Sequence, residues 1–140
     1  MSESATSKSK STAQPSASAA EAAGAGGAGA EFVPATTAGL PPTAQTFFAV
    51  INGGTGAVVR GFGVVSAARL AVGQYQVVFS HDVTGSAYVG TIGLTGSVGT
   101  SPPGEIAVVG RSGVANGVFV QTWTSAGVPA DRAFHLAVLS

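Results

Sequence analysis

From Phe32 to Ser140 the chain carries four arginines (Arg60, Arg69, Arg111, Arg132), two aspartates (Asp82, Asp131) and one glutamate (Glu105), with no lysine after Lys10. Charged residues make up 9% of the whole sequence, where an ordinary soluble domain has about 25%. A fold must present polar groups wherever it meets water, and this chain has few. Its outer surfaces must either be small and weakly apolar or be covered by other chains.

The same shortage excludes several functions. The formal net charge is zero, so there is no basic surface to neutralise nucleic-acid phosphates. Cysteine is absent, which removes disulfide-stapled modules and thiolate metal sites. Two histidines and two aspartates remain beyond Phe32, at spacings that match no metal motif. We therefore assign no metal and no cofactor. The glycine-rich runs Gly53-Gly54-Thr55-Gly56 and Gly93–Gly99 lack the lysine and following helix of a phosphate loop.

The chain divides into an arm, a linker and a domain. Residues 1–31 hold ten alanines and seven serines but no Val, Ile, Leu, Phe, Tyr or Trp. With nothing apolar to bury, this segment is expected to be a mobile arm, or one that orders along a neighbouring subunit. Ser18–Ala23 is long enough only for a marginal turn of helix. Residues 32–44 form a linker that Pro34, Pro41 and Pro42 should keep extended. The start is too polar for a secretory signal, and no run of about 18 apolar residues suits a membrane helix. Synthesis and retention in the cytoplasm are expected, unless an assembly carries the chain elsewhere.

Residues 45–140 read as all-β. Apolar residues come in short runs broken by glycine, without a helical period. Seven strands are expected: Gln45–Asn52, Ala57–Val65 (continued by Ala68–Leu70), Gln74–Ser80, Ala87–Leu94, Glu105–Arg111, Gly117–Thr124 and Arg132–Leu139. Asn52-Gly53 and Asn116-Gly117 suit tight hairpins. Breaks every 8–15 residues or so suggest an antiparallel β-sandwich of jelly-roll type.

Alternation then assigns faces. Tyr75, Val77 and Phe79 share one side of their strand, as do Phe134, Leu136 and Val138. Phe119, Gln121 and Trp123 oppose Val118, Val120 and Thr122. Taking the aromatic sides as inward leaves Val78, Val118, Val120, Ala137 and Leu139 on outer faces, where a wet strand should be polar. These residues are the candidate interface, with Arg132 as a charge that sets register between subunits. Asp131 is expected to pair with Arg111, and Arg132 with Glu105.

Two stretches carry a resemblance. One runs from Gly63-Val-Val-Ser-Ala-Ala-Arg-Leu-Ala-Val-Gly-Gln-Tyr-Gln-Val-Val-Phe-Ser-His-Asp-Val through Ala87-Tyr-Val-Gly-Thr-Ile-Gly93. The other is Gly117-Val-Phe-Val-Gln-Thr-Trp with Ala130-Asp-Arg-Ala-Phe-His-Leu136. Over residues 46–140 the chain resembles the small C-terminal β-domain of bacterial collagen-like proteins, phage tail-fibre-type proteins and uncharacterised actinobacterial proteins. The resemblance implies no catalytic residues. Relatives often carry cysteine just before the Ala-Tyr-Val stretch and at the C-terminus. Ser86 and Ser140 stand there in this chain, so the disulfide implied by the relatives cannot form. That departure suits a subunit built in the cytoplasm.

His81-Asp82 and Asp131…His135 are the only His/Asp groupings, and no Gly-x-Ser-x-Gly elbow accompanies them. Asp82 is expected to cap a turn. Tyr88 and Trp123 are the candidate platform for a sugar ring, although alternation also suits Trp123 to a core. The expectation is a non-enzymatic structural subunit of a phage particle, a capsid decoration or fibre-associated protein. It would form a homo-oligomer, a trimer favoured, with other virion or fibre subunits as partners and neither nucleic acid nor membrane. The alternative is a glycan- or receptor-binding module displayed on a fibre or cell surface.

Overall fold

The computed structural model describes residues 13–17 and 46–140. The remainder of the arm, including Ser18–Ala23, and the linker 32–44 lie outside the described residues. Eight antiparallel strands form two sheets of four, the all-β sandwich expected. They are β1 (Thr46–Ile51), β2 (Val58–Phe62), β3 (Val64–Ala71), β4 (Gln74–Phe79), β5 (Ala87–Ile92), β6 (Glu105–Gly110), β7 (Gly117–Trp123) and β8 (Phe134–Leu139). Sheet A has the order β2-β1-β8-β5, and sheet B the order β3-β4-β7-β6. No helix among the described residues is long and apolar enough to cross a membrane.

One expected strand is two. The run from Ala57 to Leu70 is nearly continuous in sequence, but β2 pairs with β1 in sheet A and β3 with β4 in sheet B. Gly63 is the corner between them, with φ +75°. A Cβ there would land in the ring of Phe47, which is itself buried. The Gly63 carbonyl accepts from Ser80 N at 2.9 Å and fixes the corner to the end of β4. Alternation reads the same on either side of such a bend, so periodicity could not show the change of sheet.

The two inner faces pack as one core. Phe47, Ala49 and Ile51 (β1), Tyr75, Val77 and Phe79 (β4), Val118 and Val120 (β7), and Phe134, Leu136 and Val138 (β8) are all buried there with Val83. This corrects the face assigned to β7. Val118 and Val120 point between the sheets, while Phe119, Gln121 and Trp123 point away. The register requires it: Val77 pairs with Val118 and Tyr75 with Val120, so each pair shares a side. Ring size misled the assignment, because Phe119 and Trp123 are buried (2% and 5% exposed) on the outer side of sheet B.

The turns also differ from two-residue hairpins. Neither Gly53 nor Gly117 has a positive φ; Gly56 and Gly113 do. Asn52 shapes its own turn instead, its Oδ1 accepting from Gly54 N (2.9 Å) and Thr55 N (3.1 Å). Such a side-chain-closed turn does not need the left-handed conformation at the next residue. The expected Asp82 turn is present, with Thr84 N and Oγ1 donating to Oδ1 at 2.8 and 2.7 Å.

Candidate functional site: an arm clamp, an apolar sheet and a loop depression

Strand pairing gives the sandwich two distinct ends. At one lie the start of β1, the ends of β4, β6 and β8, and the starts of β5 and β7. Residues 13–17 of the arm dock at this end, against the β6–β7 connection. The Gln14 carboxamide binds three groups in succession. Its Nε2 donates to Gly110 O (3.2 Å), and its Oε1 accepts from Ser112 N (2.9 Å) and Arg111 Nη1 (3.0 Å). The Pro15 carbonyl accepts a second bond from Arg111 Nη1. Ala17 packs on Val78 and Val114, which are both buried.

Arg111 is the pivot. It is 4% exposed, its Nε donates to the buried Gln76 Oε1 at 2.6 Å, and its guanidinium lies 5.9 Å from the Phe119 ring centroid. A cation taken out of water must recover its hydration from good acceptors. Here side-chain amide and backbone oxygens from β4 and the arm supply them. Val78, a candidate interface residue, is thus on an outer face as expected but is covered within its own chain. The arm signal was invisible in the sequence because Ala13–Ala17 has no apolar periodicity; its contacts come from one amide and one proline carbonyl.

The outer face of sheet A is different. Register aligns Phe62, Phe48, Ala137 and Val89 in one row across all four strands. Val89 is 55% exposed and Phe48 is 41% exposed, whereas Phe62, also 55% exposed, turns its ring at the sheet edge to stack on the core residue Phe47 with centroids 5.8 Å apart. Leu139 (44% exposed) sits in the next row, between Thr46 and Ala87. Ala137 and Leu139 are therefore where the sequence placed them. The row toward the opposite end, Arg60, Val50, His135 and Thr91, is mixed. Arg60 Nη1 there donates to Thr95 O (2.6 Å), and His135 Nε2 lies 2.9 Å from Leu94 O.

At the opposite end the loops surround a depression of about 400 Å3, lined in part by Asn52, Thr95, Asp131 and Arg132. Asp131 ties this end together. It accepts from Arg69 Nε (3.0 Å) and Gly73 N (2.8 Å), and its Oδ1 is 3.3 Å from the Tyr75 hydroxyl, which bonds Gly53 O at 2.7 Å. Asp131 thus pairs with Arg69 rather than Arg111. Arg132 donates to the carbonyls of Pro103 (3.1 Å) and Asp131 (3.2 Å). Sequence adjacency could not reveal this, because the β3–β4 turn carries Arg69 and Gly73 to the β7–β8 loop.

Burial raises the Tyr75 phenol to about 12, aided by the neighbouring Asp131 charge. Burial also pushes the Asp131 carboxyl upward, but the Arg69 hydrogen bond, the Gly73 N–H, the Arg69 charge and the Tyr75 hydroxyl outweigh it, and its pKa lies below the usual 3.8. The unfolded chain therefore takes up this proton more readily than the native one. The stabilisation is complete above about pH 3.8 and is lost as pH falls through the lower native value. His81 adds a second window. Its ring packs 4.6 Å from Phe47, its Nδ1 is buried with no hydrogen-bond partner among the described residues, and burial lowers its pKa below 6.5 against the opposing pull of Asp82. Its share of stability is complete above about pH 6.5 and declines below. Thermal midpoints should thus fall in two stages on acidification. His81→Gln should flatten the first stage. Asp131→Asn should reduce the second, which the Asp82 carboxyl, lowered by its Thr84 hydrogen bonds, shares, and should cost about 1–2 kcal/mol at pH 7. Parallel pH profiles for wild type and both variants would refute this.

The remaining sequence candidates separate. Tyr88 donates to Val83 O at 2.7 Å and packs on the core, and Trp123 is buried on sheet B, so the two do not form an open platform. His135 and Asp131 do not pair. No group of three or more potential metal-ligating side chains occurs among the described residues. The hydroxyls of Ser86 and Ser140, the two positions singled out by the resemblance, lie 3.0 Å apart. No family model, curated protein or solved structure matches the chain.

Proposed function

We propose that the chain is a non-enzymatic structural subunit that associates with copies of itself through the outer face of sheet A. The observation that carries this reading is the row Phe48–Ala137–Val89 with Leu139 beside it. Phe48, Val89 and Leu139 are large, apolar and exposed, in a chain with few charges to spare. Isolated exposed apolar side chains are ordinary; a continuous band across a sheet marks a contact surface. Covering it contributes roughly 25 cal/mol per Å2 of apolar area, less the cost of ordering two bodies. The setting that suits such a subunit is a phage particle, as a capsid decoration or fibre-associated protein, with a trimer the favoured state. The resemblance to fibre-type domains and the serines at 86 and 140 support that setting.

Light scattering at micromolar concentration tests the core of this reading. The wild-type chain is expected at a multiple of 13.5 kDa. Phe48→Glu combined with Val89→Lys should shift it to a single copy and leave the β circular-dichroism signal intact. A wild type that stays a single copy at high concentration would overturn the proposal. The loop depression favours the second reading, a receptor- or glycan-binding module. In that case, ligand binding would be lost on changing Asn52 or Thr95 and kept in the Phe48/Val89 variant.

A further inference from the structure

The clamp around Gln14 is built from directed hydrogen bonds to Gly110, Arg111 and Ser112, and it is satisfied by a segment joined to the domain only through residues 18–45. That connection is long. Extended, it reaches on the order of 90 Å, several times the length of a six-residue strand. Nothing in its contour length therefore restricts Ala13–Ala17 to its own domain. The start of β1, where the connection ends, lies at the same end of the sandwich as the clamp, so a neighbour docked by this end is within reach.

We propose that the clamp formed by Gly110, Arg111, Ser112, Val78 and Val114 is an exchange site, which holds the Ala13–Ala17 segment of its own chain in the free subunit and that of a second copy in the assembled one. The inference rests on the self-associating subunit proposed above.

Recognition is local. The Gln14 amide supplies a donor for Gly110 O and an acceptor shared by Ser112 N and Arg111, so it occupies groups that β6 leaves open where it ends. The Pro15 carbonyl completes the acceptors on Arg111 Nη1, and Ala17 fills the space over Val78 and Val114. Among the described residues the arm's contacts with the clamp are made by residues 14–17, and an identical segment on another copy can make the same ones. The choice is set by concentration. A tether of this length gives its own segment an effective concentration on the order of mM, so free subunits hold their own arm. Neighbours fixed side by side present their arms at a comparable local concentration, and exchange becomes competitive without any new contact. Exchange would add attachment between subunits beyond their sheet-A contacts.

The absence of cysteine makes this directly measurable. Ala17→Cys and Val114→Cys are introduced into separate full-length chains, which are mixed, incubated and oxidised. At nanomolar protein, the chain carrying both cysteines should close a 17–114 bond within one copy. At concentrations where the wild type assembles, the mixed single variants should form 17–114 bonds between copies, with a yield at least tenfold higher than at nanomolar protein. Gln14→Ala in the Ala17→Cys chain should remove most of that yield. Exchange is overturned if the bond forms only within the doubly substituted chain, or if Gln14→Ala leaves the intermolecular yield unchanged. Light scattering on the same samples separates the two ideas. Oligomers without intermolecular bonds refute exchange and leave the sheet-A reading standing, whereas a single copy at every concentration refutes both.

Discussion

Replacing Ser86 and Ser140 by cysteine together should yield a chain that oxidises to a single intramolecular disulfide and melts markedly higher than its reduced form. Their hydroxyls are already 3.0 Å apart, one step beyond the Ala87–Leu139 pair that ends the β5–β8 ladder. The cross-link would close a loop with a sequence separation of 54 residues. Constraining a loop of that size in the unfolded chain is worth about 4 kcal/mol in the chain-entropy picture, and about 2–4 kcal/mol is the usual yield. For a domain of this size that is on the order of 10–20 °C in melting temperature. The effect should be large because β5 is an edge strand, held in its sheet only by β8. Fastening its first residue removes the fraying that the Ser86–Ser140 hydrogen bond resists only weakly. A melt unchanged by reductant, or thiols that remain free in air, would show that the two strand ends separate in solution. The single variants serve as controls and should melt close to wild type.

Gly63→Ala should be among the most destabilising single-methyl changes in the domain, at about 3 kcal/mol or more. Two costs add. A residue with a Cβ held at φ +75° loses roughly 1–2 kcal/mol relative to glycine. The new methyl also falls in the Phe47 ring, which is stacked 5.8 Å from Phe62 and tilted against His81 at 4.6 Å, so it cannot withdraw without disturbing both. Forcing atoms into a filled core costs about 1–3 kcal/mol. Gly85→Ala is the matched control: nothing lies within 4 Å of its added Cβ, and its φ is not positive. It should fall within about 0.5 kcal/mol of wild type. Equal denaturant midpoints for the two variants would mean that β2 and β3 are not held by a left-handed corner at Gly63.

These outcomes bear on assembly as well as on stability. The corner sets Phe62 beside Phe48 at the edge of the apolar row, so loosening it should weaken association together with folding. The disulfide locks Leu139 and Ala87 at the other side of the same face and should leave association intact or strengthen it.

The sequence by itself determined the all-β class, the approximate ends of most strands and the inward set on β4 and β8. These follow from period-two alternation and glycine punctuation, which are local properties of the chain. It also identified the shortage of charge, and with it Ala137 and Leu139 on an outer face. Three things were left to the tertiary structure. The division of one apolar run into β2 and β3 depends on which partners each half meets across Gly63. The inward side of β7 depends on its register with β4, because valines and aromatics are both apolar enough to bury and only pairing decides between them. The clamp depends on bringing Gln14 to Arg111 and Ser112 across a separation of nearly 100 residues, and the Asp131 network likewise joins β3, β4 and the β7–β8 loop. Hydrogen-bond complementarity between distant segments has no periodicity, so it is visible only once the sheets have placed the groups together.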